Sequence, residues 1–213
     1  MERIICLAVG YLFGLFQTGF LYSRSQHVDI RKEGSGNVGS TNVLRVMGVK
    51  AGAIVLLGDC LKCILACLAA RLLFAGKPDM VILLVIYAAF GAMLGHNFPF
   101  YMGFKGGKGI ACTAGMMMSI DWKLTLVCFL VFVTIVFVTR YVSLGSLVVE
   151  VIFVGWMAYF GARGWYGLGS SYYMECVLVS GLVAAMAFIR HRANIARLLA
   201  GTENKIGSGK KKA

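Results

Sequence analysis

Seven apolar runs, separated by short polar connections, pattern this chain: residues 4–22, 51–74, 80–94, 109–120, 124–138, 142–160 and 174–189. A hydrocarbon core about 30 Å thick needs roughly 20 apolar residues in a helix, and most of these runs approach that length. The fourth is short, because a helix of 12 residues rises only about 18 Å. It is expected either to start deep in the bilayer behind a re-entrant loop or to lie in a thinned, protein-buried region. The first run exceeds a typical signal-peptide core and has no small-residue cleavage pattern after it, so it is expected to be a retained helix. The pattern predicts an all-α polytopic membrane protein with about seven transmembrane helices.

Composition agrees with the pattern: 59% of the 213 residues are hydrophobic, and the mean hydropathy is +0.80. Charge adds orientation, through the excess of Lys and Arg on cytoplasmic loops. One set of connections holds Arg24, Arg31, Lys32, Arg45, Lys50, Lys105, Lys108 and Arg140, and the C-terminal segment adds Arg190, Arg192, Arg197, Lys205, Lys210, Lys211 and Lys212. The other set holds only Arg3, Lys77, Lys123 and Arg163, while Lys62 and Arg71 fall inside the second run. The N-terminus is therefore expected outside and the C-terminus in the cytoplasm. Much of the formal net charge of +12 then faces anionic lipid heads and cytosolic phosphates; nucleic acid is not among the expected partners. Residues 1–203 read as a single integral membrane domain, and 204–213 as a basic, disordered tail.

On that topology three polar, glycine-rich or basic segments share the cytoplasmic face. In the first, Gly34, Gly36 and Gly39 permit positive φ and close backbone approach, so that successive N–H groups form a nest for an anion. Ser35, Ser40 and Thr41 add hydroxyls, Asn37 and Asn42 add amides, and Arg45 adds a forked cation suited to two phosphate oxygens. The plainer reading is a flexible loop of turn residues, which leaves the positioned Arg45 unexplained. In the second, Gly106, Gly107 and Gly109 surround Lys105 and Lys108 just before an apolar helix whose N-terminus attracts anions; its alternative is a re-entrant turn that needs small residues. The spacing is not that of a nucleotide P-loop, since Gly109 follows Lys108 where Ser or Thr is required. His96 is either a general base or a hydrogen-bonding support for the loop. In the third, Ile195, Leu198 and Leu199 share a helical face opposite Arg192 and Arg197, as in a helix lying at the membrane surface, with Gly201 as its cap. That helix is an anchor or a wall of the site.

The remaining candidates carry less chemistry. All seven cysteines (Cys6, Cys60, Cys63, Cys67, Cys112, Cys128, Cys176) lie in apolar runs, so neither a disulfide framework nor a metal site is expected. Asp59 and Lys62 stand one turn apart inside the second run; ionisable residues in a bilayer are expensive enough to mark function, and an i, i+3 pair also neutralises itself.

Gly34-Ser35-Gly36-Asn37-x-Gly39-x-Thr41-Asn42-x-x-Arg45, then Gly95-His96-x-x-Pro99 with Phe104-x-Gly106-Gly107-Lys108-Gly109, then His191-x-x-Asn194-Ile195-x-Arg197-Leu198-x-x-Gly201-x-Glu203 resemble, in order and spacing, the three signature motifs of the bacterial membrane acyl-phosphate:glycerol-3-phosphate acyltransferases, the PlsY family. The resemblance implies a seven-helix enzyme of the cytoplasmic membrane. Its reaction would move a fatty acyl group from acyl phosphate to the 1-hydroxyl of sn-glycerol 3-phosphate, giving lysophosphatidic acid and phosphate. It implies Ser35, Arg45, His191, Asn194 and Glu203 as the catalytic set, a loop from Gly103 to Gly109 that holds acyl phosphate, and no metal or other cofactor. The expected partners are glycerol 3-phosphate, acyl phosphate and membrane lipids. Two departures concern helix shape: Gln17-Thr18-Gly19-Phe20 replaces a Ser-Ile-Pro-like bend, and Cys112 stands where a small residue or Thr is common.

An acyl phosphate is a mixed anhydride, so alignment and charge stabilisation suffice and direct, single-displacement transfer is expected. The attacking hydroxyl's proton goes to His96, to His191 or, the favoured reading, to a substrate phosphate oxygen. The soluble-type His-x-x-x-x-Asp acyltransferase motif is excluded, since Lys32, Tyr101 and Ala196 stand five residues after the three histidines. A membrane transporter of phosphate or an organic phosphate is the alternative, disfavoured by the absence of an internal repeat and by motifs confined to one side.

Overall fold

In a computed structural model of the protein, which describes residues 1–207, every apolar run is helical. The first becomes two helices, α1 (Glu2–Gly14) and α2 (Thr18–Ser25). The others are α4 (Val49–Leu73), α5 (Val81–Asn97), α6 (Ile110–Ile120), α7 (Trp122–Thr139), α8 (Val142–Ala162) and α9 (Ser170–Arg190). Two eight-residue helices, α3 (Ser40–Met47) and α10 (Arg192–Leu199), sit in connections that the sequence marked as polar. No strand occurs among the described residues. Among the described residues six spans are long and apolar enough to cross a membrane, with α1 and α2 counted as one. The 11-residue α6 falls short of that length and packs against α4 and α5 inside the bundle, the protein-buried alternative for the fourth run.

α5 is the hub, apolar on all sides because it touches protein on all sides. It packs against α1, α4, α6 and α9, and its residues are buried almost end to end. Its approach to α1 is set by interlocking glycines. A Cβ on Gly10 would lie 2.0 Å from the Ala88 carbonyl oxygen, and one on Gly91 would lie 2.3 Å from that of Leu7. Lipid supplies no hydrophobic drive between helices, so close backbone packing through small residues is what joins them.

The first run departs from a continuous helix. Between α1 and α2 the chain breaks at residues 15–17, and the carbonyls freed there must find partners inside the bilayer. Gln17, 1% exposed, donates its amide to the carbonyls of Gly14, Gly95 and His96 at 3.1, 3.2 and 3.1 Å. The bend that relatives are expected to make with proline is made here by a glutamine that ties it to the end of α5.

Alternation of direction brings the start of α4, α6 and α8 and the end of α5, α7 and α9 to one end of the bundle, where α3 and α10 also lie. At the opposite end Arg3 pairs with Glu175 and Lys77 with Glu2, while Tyr87 donates to Glu175 at 2.7 Å. Beyond Glu203 the chain is described to residue 207. The Ile206 amide donates to the Arg140 carbonyl at 2.9 Å, and the Arg140 guanidinium donates back to the Ile206 carbonyl at 3.1 and 2.9 Å. The rest of the expected basic tail, 208–213, lies outside the described residues.

Candidate active site

The loop before α3 is organised around one side chain. Asn42, 2% exposed, accepts the Ser35 amide on Oδ1 at 2.8 Å and donates Nδ2 to the carbonyls of Glu33 and Asn37 at 3.0 and 2.9 Å. Gly34 takes φ +59°, and a Cβ there would stand 2.3 Å from Asn42 Oδ1, so the chain wraps the amide only without a side chain. Asn37 Oδ1 accepts the Gly39 amide at 2.9 Å. These bonds occupy part of the expected anion nest. What remains open at the N-terminus of α3 is the amides of Ser40 and Thr41, since that of Asn42 donates to the Gly39 carbonyl at 3.1 Å.

Ser35, Asn37, Gly39, Ser40, Thr41, Asn42 and Arg45 line a cavity of about 360 Å³. From the second motif His96, Lys108 and Gly109 reach it, and from the third His191, Asn194, Arg197 and Glu203. Five helices, α3, α4, α6, α8 and α10, begin at its wall, a concentration of positive dipole ends. Arg45 is exposed to it and has no hydrogen-bond or ion-pair partner among the described residues. The lining also has hydrocarbon surface, from Leu44, Ala53 and Leu56 and from Phe132 and Val136 of α7. An anion with a hydrocarbon tail fits that lining.

Lys108, Asn194 and Glu203 form a chain across the cavity. Lys108 Nζ donates to Asn194 Oδ1, and Asn194 Nδ2 donates to Glu203 Oε1 at 2.7 Å. Ser143 Oγ donates to the same oxygen at 3.2 Å and Arg197 Nε to Oε2 at 2.8 Å. Glu203 thus balances a cluster of cations and fixes an amide. Burial, with Arg197, Arg190 and Arg45 nearby, pushes the Lys108 ammonium down to about 8. His191 Nδ1 lies 2.8 Å from the Ala187 carbonyl, which only accepts, so the proton is on Nδ1 and Nε2 carries the lone pair. Burial and the nearby Lys108 push His191 down to about 4, which keeps it neutral and a poor base at pH 7.

Not every candidate reaches the cavity. Lys105 is exposed outside it, and Gly34, Gly36, Gly106 and Gly107 are not on its wall. The amides of Gly106 and Gly107 donate to the carbonyls of Asn97 and His96 at 3.1 and 3.0 Å, so this part of the glycine loop closes the end of α5 instead of cradling an anion. Gly107 has a steric reason as well, since a Cβ there would lie 2.0 Å from His96 Nε2. Four residues that build or support the site were not marked for it in the sequence. Ser143 and Ser146 line the wall, and their i, i+3 spacing at the start of an apolar run was the available signal. Arg190 donates to the Gly106 carbonyl at 3.0 Å and to that of Gly107 at 3.1 and 2.8 Å. Gln17 acts only through main-chain carbonyls, which residue patterns do not show.

A family model for glycerol-3-phosphate acyltransferase matches residues 4–201. The chain belongs to that family. Among its relatives, the glycerol-3-phosphate acyltransferase of Clostridioides difficile (strain 630) is 41% identical over 217 residues, with 97% of each chain covered. That of Thermoanaerobacter sp. (strain X514) is 37% identical over 208 residues, again with 97% of each covered. The crystal structure of PlsY (YgiH), an integral membrane glycerol 3-phosphate acyltransferase in its glycerol 3-phosphate form, superposes with a TM-score of 0.81 at 32% identity, covering 98% of this chain and 97% of that one. The lysophosphatidic acid form of the same protein gives 0.80 at 31%. The PlsY-family bundle seen here is accordingly a multi-pass membrane protein.

Proposed function

We propose that the chain transfers a fatty acyl group from acyl phosphate to the sn-1 hydroxyl of glycerol 3-phosphate, giving lysophosphatidic acid and inorganic phosphate, at a site open to the cytoplasm. The observation that carries this reading is the convergence of all three polar segments on one cavity lined by both cationic and apolar side chains. Two substrates that each carry a phosphate, one of them also a hydrocarbon chain, match it. The family's name and the glycerol 3-phosphate and lysophosphatidic acid forms of PlsY support the acceptor and the product.

Arg45 and the α3 N-terminus, with Ser35 and Thr41, hold one phosphate; Lys108 and the α6 N-terminus at Gly109 hold the other. Asn194 and Glu203 position Lys108, and Arg197 and Ser143 hold Glu203. The acceptor hydroxyl oxygen attacks the acyl carbonyl carbon and an ester C–O bond forms. The bond to the phosphate oxygen breaks, and phosphate leaves with its electron pair. The attacking hydroxyl donates to a substrate phosphate oxygen, whose second pKa is about 6, and its proton passes there as the ester forms. His191 Nε2 accepts from the other hydroxyl of glycerol 3-phosphate and orients the acceptor. The chemistry calls on positioning and on cationic stabilisation of the leaving phosphate.

Residues 1–203 form the catalytic domain, set in the cytoplasmic membrane with N-terminus outside and C-terminus inside. Phosphate release by the protein in detergent, from palmitoyl phosphate and glycerol 3-phosphate together, tests the reading. Palmitoyl-CoA replaces the donor as control. Release is expected to need both substrates and to fall about 10²- to 10³-fold in Arg45→Ala, the scale of losing one preorganised charge contact. Release unaffected by Arg45→Ala, or equal with palmitoyl-CoA, overturns it.

A further inference from the structure

Lys62 lies in the middle of α4 and is 4% exposed. Its ammonium has three donors and no acceptor capacity, and the fold supplies three acceptors. Nζ is 2.7 Å from the Phe16 carbonyl, 2.8 Å from Asp59 Oδ1 and 2.8 Å from His96 Nδ1. The first exists only because the chain breaks between α1 and α2 and leaves that carbonyl without a helical donor. The second is itself held, since Thr18 Oγ1 donates to Asp59 Oδ1 at 3.0 Å. The third is the informative one. An ammonium cannot accept, so His96 Nδ1 must offer its lone pair, and the proton of the neutral ring is then on Nε2. Asp59 is 3.7 Å from Nδ1, too far for a competing hydrogen bond.

His96 is 3% exposed and lines the cavity, and among the described residues its ring makes its hydrogen bond through Nδ1 alone. Gly107 leaves the ring the room to stand there. An N–H without a protein partner, on a ring that lines a cavity suited to anions, is a donor available to a substrate oxygen.

Resting on the acyl-transfer reading above, we propose that Lys62 is a positioning residue that locks His96 with its proton on Nε2, so that His96 donates a hydrogen bond to an oxygen of the reacting acyl phosphate and does not serve as the base. The intramembrane Asp59–Lys62 pair is then more than a neutralised structural bridge. Asp59 and the Phe16 carbonyl hold the ammonium against His96, and the helix break, Thr18, Lys62 and His96 act as one assembly.

Nitrogen-15 NMR of histidine-labelled protein in detergent at pH 7 reads the tautomer directly. The chain has three histidines, and His96→Gln identifies the signals of His96. The expected spectrum has unprotonated Nδ1 and protonated Nε2. A protonated Nδ1, or an imidazolium, overturns the proposal whatever the activity. Kinetics add a second arm. Lys62→Met is expected to lower kcat about 10²-fold, the scale of a lost preorganised donor, with KM for both substrates little changed. A Gln at residue 96 keeps an N–H near the Nε2 position and has no tautomer to lose. His96→Gln should therefore retain activity within about tenfold, and Lys62→Met added to it should cost no more than about threefold further, a non-additive pair. An equal loss from Lys62→Met in both backgrounds assigns Lys62 a purely structural role and overturns the proposal. If Lys62→Met does not fold, the spectrum of the unsubstituted protein still decides. Failure of the unsubstituted protein to release phosphate overturns the acyl-transfer reading and leaves the tautomer measurement standing.

Discussion

At the scale of single residues the site is a problem in keeping cations charged where water is scarce. Lys108 shows the tension: its ordinary pKa is 10.5, and burial brings it to about 8. Below pH 8 the ammonium is present, and above it the cation is lost. A bound phosphate favours the ammonium, so affinity falls as pH rises and the effect is strongest in the free enzyme. We expect kcat/KM for phosphate release to decline above pH 8, by about tenfold per pH unit for one proton, with the decline in kcat displaced to higher pH. Lys108→Arg removes a titrating group from this range and should abolish that limb even where its poorer fit beside Asn194 lowers the rate overall. Initial rates from pH 6 to 10 at limiting and saturating substrate check both statements, and a limb that survives in Lys108→Arg assigns the titration elsewhere. Ser35, Arg45 and Lys108 were marked in the sequence because each residue type has a narrow repertoire toward phosphate, whereas His191, Asn194 and Glu203 were marked as a catalytic set through the resemblance of their motif to the family's. Asn42 was legible only as an amide. That its side chain bonds its own loop, and so builds the cradle, depends on a wrapping that spacing does not encode.

Elements matter where one helix end must be held against another. The glycine loop between α5 and α6 is clamped from α9 by Arg190, whose three donor contacts to Gly106 and Gly107 are joined by stacking over Phe98, 5.2 Å from guanidinium carbon to ring centroid. Through that loop Arg190 sets where Lys108 and the start of α6 stand. Arg190→Ala is expected to lower both the melting temperature and kcat/KM. Arg190→Lys should fail to rescue, since an ammonium cannot bridge two carbonyls with a planar fork. Melting curves and phosphate-release rates on the two variants test this, and full rescue by lysine reduces Arg190 to a point charge. The transmembrane elements themselves were readable because a bilayer forces long apolar runs and backbone self-satisfaction. The break after α1 was not, because what permits it is a set of acceptor carbonyls from α1 and α5 that only the packed bundle brings to Gln17. Helix α3 was also hidden: its short polar sequence lacks an apolar period of useful length, and it is helical through its burial against α4.

At the scale of the whole molecule the charge distribution predicts which way the bundle faces. The cavity end carries the connections rich in Lys and Arg, while the far end has the ion pairs Arg3–Glu175 and Lys77–Glu2, in which acidic partners offset much of the positive charge. Translocating the cavity end would carry most of the chain's excess cations across the bilayer against the membrane potential, at about 2.3 kcal/mol per charge for each 100 mV. The expected orientation places the cavity on the cytoplasmic side, where a soluble glycerol phosphate meets it. Two positions report on this without touching the site: Ser25, exposed at the end of α2, and Gly76, where an added side chain meets nothing within 4 Å. In a variant with its seven native cysteines replaced by alanine or serine and verified for activity, Gly76→Cys should react with a membrane-impermeant maleimide in intact cells. Ser25→Cys should react only after the membrane is opened. The reverse pattern would put the cavity outside, away from any cytosolic supply of substrate. It would leave the cationic cradle intact but require the acyl donor and the acceptor phosphate to reach it from the other face, which the positive-inside distribution of this chain argues against.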